Sequence, residues 1–156
     1  MAELQSILRS LEQFEVLMHD IYNELCEVFS EDSEASALFS KLAFDERSHL
    51  GEIHFLRRLA RQNTAHFADV ELELDALQRE VTQLENVRRA APGLSLHEAV
   101  VIAIEFESGV AEVHSREAIA KANPDVSRLL GSLRAADWGH RDALVDFARK
   151  RGMKST

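Results

Sequence analysis

Apolar residues recur at intervals of three, four and seven along most of the chain, which is the period of helices with one buried face. No run alternates between apolar and polar residues as a half-buried strand does. The pattern predicts four long helices: one over about 3–29, one that ends near 61, one that begins at 95, and one from 124 to about 151. The polar run 30–33 supplies a turn after the first helix and a cap for the second. A shorter amphipathic segment, about 69–89, lies in the connection between the second and third.

Local signals mark the helix ends. Pro92-Gly93 is a break, and Ser95-Leu96-His97-Glu98 is a capping box that starts the third long helix. Asn123-Pro124 ends that helix and places a proline at the first position of the next. The helices therefore form two hairpins joined by a long crossover, 62–94. That order predicts an all-α chain, a single ferritin-like four-helix bundle over 1–156 with an extra helix in the crossover.

Composition agrees with one soluble helical domain. The chain has 46% hydrophobic residues, two prolines, six glycines and a net charge of −9. The negative charge argues against nucleic acid or an anionic membrane as a partner, and no segment approaches the roughly 18 apolar residues that span a bilayer. The acidic N-terminus does not resemble a signal peptide. One cysteine, Cys26, permits no intramolecular disulfide, so we expect a cytoplasmic protein.

Two glutamates interrupt otherwise apolar helix faces. Glu15 shares its face with Leu8, Leu11, Met18 and Tyr22, whereas Glu12 has more polar neighbours. Glu107 shares a face with Val100, Ala103 and Ile104, whereas Glu105 lies on a more polar stripe. We therefore predict that Glu15 and Glu107 point inward.

An acidic residue precedes a histidine by three positions on each of the other two long helices, at Glu46-His49 and at Asp137-His140. With 27 acidic residues in the chain, such pairs also arise by chance. Their placement is more informative, because both pairs lie on apolar faces and each follows a helix with an inward glutamate. This arrangement is typical of a dinuclear metal site inside a helical bundle.

Four carboxylates and two imidazoles can hold two divalent ions. Oxygen-rich sites with a minority of imidazole suit iron or manganese, and zinc can substitute. The candidate metal ligands are Glu15, Glu46, His49, Glu107, Asp137 and His140. A polar core without metal is the alternative interpretation.

Two further residues, Tyr22 and His114, are expected near this set. Tyr22 and His114 each lie seven residues after an inward glutamate. Tyr22 is either a hydrogen-bond donor to the ligands or a core residue, and we expect His114 to hydrogen-bond a ligand rather than bind metal. The remaining histidines are expected at the surface: His19, His54, His66 and His97.

The paired motifs resemble those of the rubrerythrin branch of the ferritin-like di-iron carboxylate proteins, over nearly the whole chain. The resemblance implies two iron ions, six ligands at the positions above, and a homodimer or larger homo-oligomer. It also implies an oxidoreductase that reacts with hydrogen peroxide or dioxygen. Non-enzymatic iron binding or storage, and a helical interaction protein with a decayed site, are the alternatives.

The chain departs from rubrerythrin in several places. These 156 residues contain no counterpart of the rubredoxin domain, so we expect turnover to require an external electron-donor protein. Val110 stands where rubrerythrin has a further glutamate, Asp137 stands for a glutamate, and His114 stands for a tyrosine.

Overall fold

The computed structural model describes residues 2–62, 74–114 and 124–154. Within these ranges the chain is all-helical and contains no strand. In the described part, no helix is both long and apolar enough to cross a membrane. The α-helices are α1 Ala2–Val28, α2 Ser33–Gln62, α3 Leu74–Ala90, α4 Leu96–His114 and α5 Pro124–Lys150, with a short 3-10 turn at Ala91–Gly93.

Helices α1 and α2 form an antiparallel hairpin. Near the turn, the Tyr22 ring stacks on Phe39 with centroids 6.1 Å apart. Farther from the turn, Nδ1 of His19 donates to the carbonyl of Ala43 over 2.8 Å. The contacting residue on α2 has a higher residue number where its partner on α1 has a lower one, so the two helices run in opposite directions.

Helix α5 runs antiparallel to α2. Arg151, just after α5, binds Asp32, just before α2, with nitrogen–oxygen distances of 2.7 and 2.8 Å. Farther along, His140 of α5 lies beside Asp45 of α2, with Nε2 and Oδ2 3.2 Å apart.

Helix α4 is also antiparallel to α5. His97, near the start of α4, donates from Nε2 to the carbonyl of Lys154 beyond the end of α5. Glu107, in the second half of α4, lies beside His140, near the middle of α5. It follows that α4 is parallel to α2 and opposite to α1. The long helices α1, α2, α4 and α5 therefore run up, down, down and up, and only a connection as long as the helices themselves can join the end of α2 to the start of α4.

Helix α3 occupies that connection and packs against α1. Its apolar side is buried through Leu77, Val81 and Leu84, and Arg88 pairs with Asp20 of α1 at 3.4 Å. The crossover segment predicted at 69–89 thus corresponds to α3, and its first residues, 69–73, lie outside the described part.

Side chains cap two helices as their sequences predict. The hydroxyl of Ser95 accepts a hydrogen bond from the Glu98 amide at 3.1 Å, and the Ser95 amide faces the Glu98 carboxylate at 3.4 Å. At the start of α2, Asp32 accepts a hydrogen bond from the amide of Ala35 at 3.1 Å. The ion pair with Arg151 and this amide together lower the pKa of Asp32 to about 2.

We expect Asp32 to stabilise the fold both as a cap and through its ion pair. Asparagine can cap the helix but cannot form the ion pair, and alanine can do neither. The urea midpoint should therefore fall in the order wild type, Asp32→Asn, Asp32→Ala.

The pH dependence of this difference follows from the pKa of Asp32. Because that pKa is depressed in the folded state, the contribution of Asp32 to stability is present above the ordinary aspartate pKa of 3.8 and is lost as pH falls through about 2. The difference in urea midpoint between wild type and Asp32→Asn should therefore become smaller as pH falls from 3.8 to about 2. Equal midpoints at neutral pH would show that the ion pair contributes nothing.

Candidate metal centre

Three glutamates and two histidines from four helices meet in the middle of the protein. Their exposed fractions are 1% for Glu15, 2% for Glu46 and Glu107, and 5% for His49 and His140. Glu12 and Glu105 are more exposed, so the prediction of which glutamates point inward is confirmed. Buried carboxylates are unfavourable unless a cation or hydrogen bonds compensate them, so this cluster needs a partner of opposite charge.

Glu46 lies between the two imidazole rings. Its Oε2 is 3.1 Å from Nδ1 of His49, and its Oε1 is 3.4 Å from Nδ1 of His140. Each histidine also faces a glutamate of its own: Glu15 is 3.6 Å from His49, and Glu107 is 3.5 Å from His140. The imidazole centroids are 5.3 Å apart. The cluster therefore consists of two triads that share one carboxylate.

The triads have the dimensions of metal sites. Within each one, the nearest ligand atoms all lie within 4.8 Å of one another. Ligand atoms about 2.1 Å from one octahedral ion lie about 3 Å apart along an edge. Small side-chain adjustments would thus let each triad hold one ion, with Glu46 contributing one oxygen to each. The donors are carboxylate oxygens and imidazole nitrogens, which suit iron and manganese and also accept zinc.

Asp45 orients His140 from the side away from the carboxylates. Nε2 of His140 donates to Oδ2 of Asp45 at 3.2 Å, which leaves Nδ1 to face Glu46 and Glu107. Such a carboxylate–histidine pair fixes the ring and its tautomer in many metal sites. Sequence reasoning missed Asp45. The sequence shows that Asp45 directly precedes Glu46, but it does not show that α5 packs against that side of α2.

Tyr22 supports the second triad. Its hydroxyl donates a hydrogen bond to Oε1 of Glu107, and the tyrosine is completely buried. The structure thus contains the hydrogen bond that the donor role of Tyr22 requires. The ring also packs in the core, against Phe39. The side chains of Asp137 and His114 lie outside the described part, so their predicted roles stay predictions.

The other histidines are placed as follows. His54 and His97 are exposed, as expected, and His66 lies outside the described residues. His19 was expected at the surface but is half-buried, because its ring reaches across the hairpin to the carbonyl of Ala43.

The carboxylates raise the pKa values of both histidines. Burial alone would lower the pKa of His49, but Glu15 and Glu46 outweigh burial and raise it to about 11. In the same way, Glu107 and Glu46 overcome burial and raise the pKa of His140 to about 10. Without metal, the two imidazolium charges therefore offset two of the three buried carboxylate charges. A metal ion binds neutral imidazole, so metal binding must displace these protons.

We expect the metal-free protein to lose stability as pH rises above about 6.5. The folded-state pKa values of His49 and His140 are raised, so their contribution to stability is complete below the ordinary histidine pKa of 6.5 and is lost as pH rises through about 10 to 11. Urea unfolding in the presence of a chelator, from neutral to alkaline pH, measures this slope. The control variant His54→Gln, at an exposed histidine, should show the same slope of stability against pH. A stability that is flat or rising over this range would contradict the raised pKa values of His49 and His140.

Tyr22→Phe should lower the free energy of unfolding of the metal-free protein by about 1–2 kcal/mol, because a buried carboxylate loses a donor while the ring packing is kept. Chemical denaturation with a chelator measures the change. An unchanged free energy of unfolding would mean that the hydroxyl does not stabilise Glu107.

Comparison with known proteins leaves the geometry as the basis for any functional assignment. The chain matches no protein-family model, no curated protein and no solved structure. What the molecule itself offers is a buried pair of triads, with two further residues, Tyr22 and Asp45, that hold two of the triad side chains in place.

Proposed function

We propose that this chain is a di-iron carboxylate protein, able also to take manganese, that reduces hydrogen peroxide or dioxygen. The position of Glu46 carries the proposal. Its two oxygens face two different histidines, and each histidine has its own glutamate. A single mononuclear site would have no use for this duplication, whereas a pair of ions that share a carboxylate requires it.

The helix directions support the same proposal. A ferritin-like bundle has long helices that run up, down, down and up, with a long crossover between the second and third long helices. In bundles of this kind, two helices each contribute one glutamate and the other two each contribute an acid–x–x–histidine pair. Here α1 and α4 provide Glu15 and Glu107, and α2 provides Glu46 with His49.

The protein side chains would bind the metal ions, hold one another in the required orientation, and neutralise the positive charge of the ions. Glu15 and His49 would hold one ion, Glu107 and His140 the other, and Glu46 both. When bound, two iron ions supply electrons to an oxidant by changing between the ferrous and ferric states. The hydroxyl of Tyr22 keeps Glu107 turned toward the site, and Asp45 keeps Nδ1 of His140 directed inward.

Repeated turnover requires an electron source outside these side chains. Reduction of peroxide to water consumes two electrons and two protons for each molecule. The 156 residues contain one cysteine, so they cannot form a four-cysteine iron centre of their own. We therefore propose that a separate electron-donor protein reduces the site, and that the chain acts as a homodimer or larger homo-oligomer.

Metal stoichiometry tests this proposal most directly. Anaerobic loading with ferrous iron should give about two ions per chain. Glu46→Gln should reduce binding of both, because both triads use this carboxylate, whereas Glu15→Gln should mainly affect one ion. Glu105→Gln, on the exposed side of α4, is the matched control and should load like the wild type. Elemental analysis after gel filtration measures all four proteins.

The outcomes separate the alternatives. Absence of bound metal in the wild type would leave a helical protein with a decayed site. Two ions with peroxide consumed repeatedly in the presence of a chemical reductant would support the redox function. Two ions with a single oxidation event and no further turnover would instead indicate iron binding or storage.

A further inference from the structure

A groove between α2 and α5 reaches the buried cluster from the protein surface. Its volume is about 400 Å³, and both His49 and His140 form part of its wall. On the α5 side, Gly139 and the small residues Ser132 and Ala136 line it, so little side-chain bulk separates the two helices there. We call this the α2–α5 groove.

The groove joins solvent to the two ligand histidines. Each imidazole is only 5% exposed, yet both line the same surface cavity. A larger cavity of about 450 Å³ lies beside Glu12 and Arg57, and its wall includes none of the buried glutamates or histidines of the triads. The α2–α5 groove is thus an opening that meets the candidate metal ligands themselves.

The charges along the groove favour a cation. Among the residues that the structure describes, its ionisable lining apart from the two histidines consists of Asp45, Glu52 and Lys41, which carry a net charge of −1. Even with both histidine rings protonated, the three buried glutamates behind them keep the net charge of groove and cluster together at −2. Asp45 is one-third exposed and also binds Nε2 of His140, so one carboxylate touches both the groove and a candidate ligand. A divalent ion with about six waters of about 30 Å³ each occupies about 200 Å³, which this groove can admit.

We propose that divalent metal ions enter the site through the α2–α5 groove, attracted by Glu52 and Asp45 and releasing water as they reach His49 and His140. The proposal rests on the proposed metal-binding function. It adds the path and the chemical class of what travels along it, a hydrated divalent cation.

Leucine scanning of two glycines on α5 tests the path. A Cβ added at Gly139 meets no other atom within 4 Å, and the same is true at Gly131, which does not line the groove. Both substitutions also raise helix propensity, so both variants should fold. Gly139→Leu should slow uptake of cobalt(II), followed by its visible absorption, while the amount bound at equilibrium stays unchanged. Gly131→Leu should take up cobalt at the wild-type rate.

Charge variants test the attraction independently. Glu52→Lys changes the net charge of the groove from −1 to +1 and should slow cobalt uptake about tenfold at low salt, with a smaller effect at high salt. Glu105→Lys makes the same charge change on the exposed side of α4 and should have a much weaker effect. Ser132→Leu provides a second obstruction of the groove if Gly139→Leu does not fold.

Each outcome decides between the two proposals. This entry path is supported if the groove variants take up cobalt more slowly but bind the same amount at equilibrium, while their controls take it up at the wild-type rate. Wild-type uptake rates in the folded groove variants would overturn the path while leaving the metal site intact. No cobalt, iron or manganese bound by the wild type at equilibrium would overturn the proposed function and the path with it.

Discussion

Three carboxylates, those of Glu15, Glu46 and Glu107, are buried at the centre of this helical protein, so the helices around them must supply groups that compensate their charge. A buried anion without compensation costs several kcal/mol, and removal of one partner from a buried ion pair typically costs about 3–5 kcal/mol. Here Glu46 is compensated from two sides, by His49 and by His140. Only an arrangement that brings α2 and α5 together at this level can supply both imidazoles. The directions and register of the long helices are consistent with that requirement.

The same contacts give the site two ways to balance its charge. Without metal, the raised pKa values of His49 and His140 keep both rings protonated. With metal, the ions would replace the protons, because a ligand imidazole must be neutral. The side chains that support the site need not change in either state: Tyr22 donates to Glu107 and Asp45 accepts from His140. A preformed cluster of this kind would let the protein fold without metal, in contrast to small metal-dependent domains that are unfolded without it.

Helical periodicity was sufficient to identify the inward-facing glutamates of α1 and α4, because neighbours at three, four and seven positions decide which side of a helix is apolar. It separated Glu15 from Glu12 and Glu107 from Glu105. The caps at Asp32 and Ser95 were also predictable, since they depend on nearby residues alone. Contacts between helices were not predictable in the same way.

Three examples show what periodicity leaves out. Asp45 supports His140 across 95 residues of sequence, His19 reaches a carbonyl of the neighbouring helix, and Tyr22 binds a glutamate of α4. Each of these depends on which flank of a helix faces which neighbour. The sharing of Glu46 by two triads is of the same kind, because it requires the offset between α2 and α5 as well as their directions.

The two triads also differ in what they hold together. Glu15, Glu46 and His49 all belong to the α1–α2 hairpin, whereas the second triad joins Glu46 to Glu107 and His140 of the α4–α5 pair. An ion in the first triad would therefore cross-link one hairpin, while an ion in the second would link both. Since any ligand that binds only the folded state stabilises it in proportion to its affinity, the second ion is the one that would stabilise the association of the hairpins. Glu46 belongs to both triads, so the pairing of the hairpins and the proposed pairing of metal ions would depend on the same side chain.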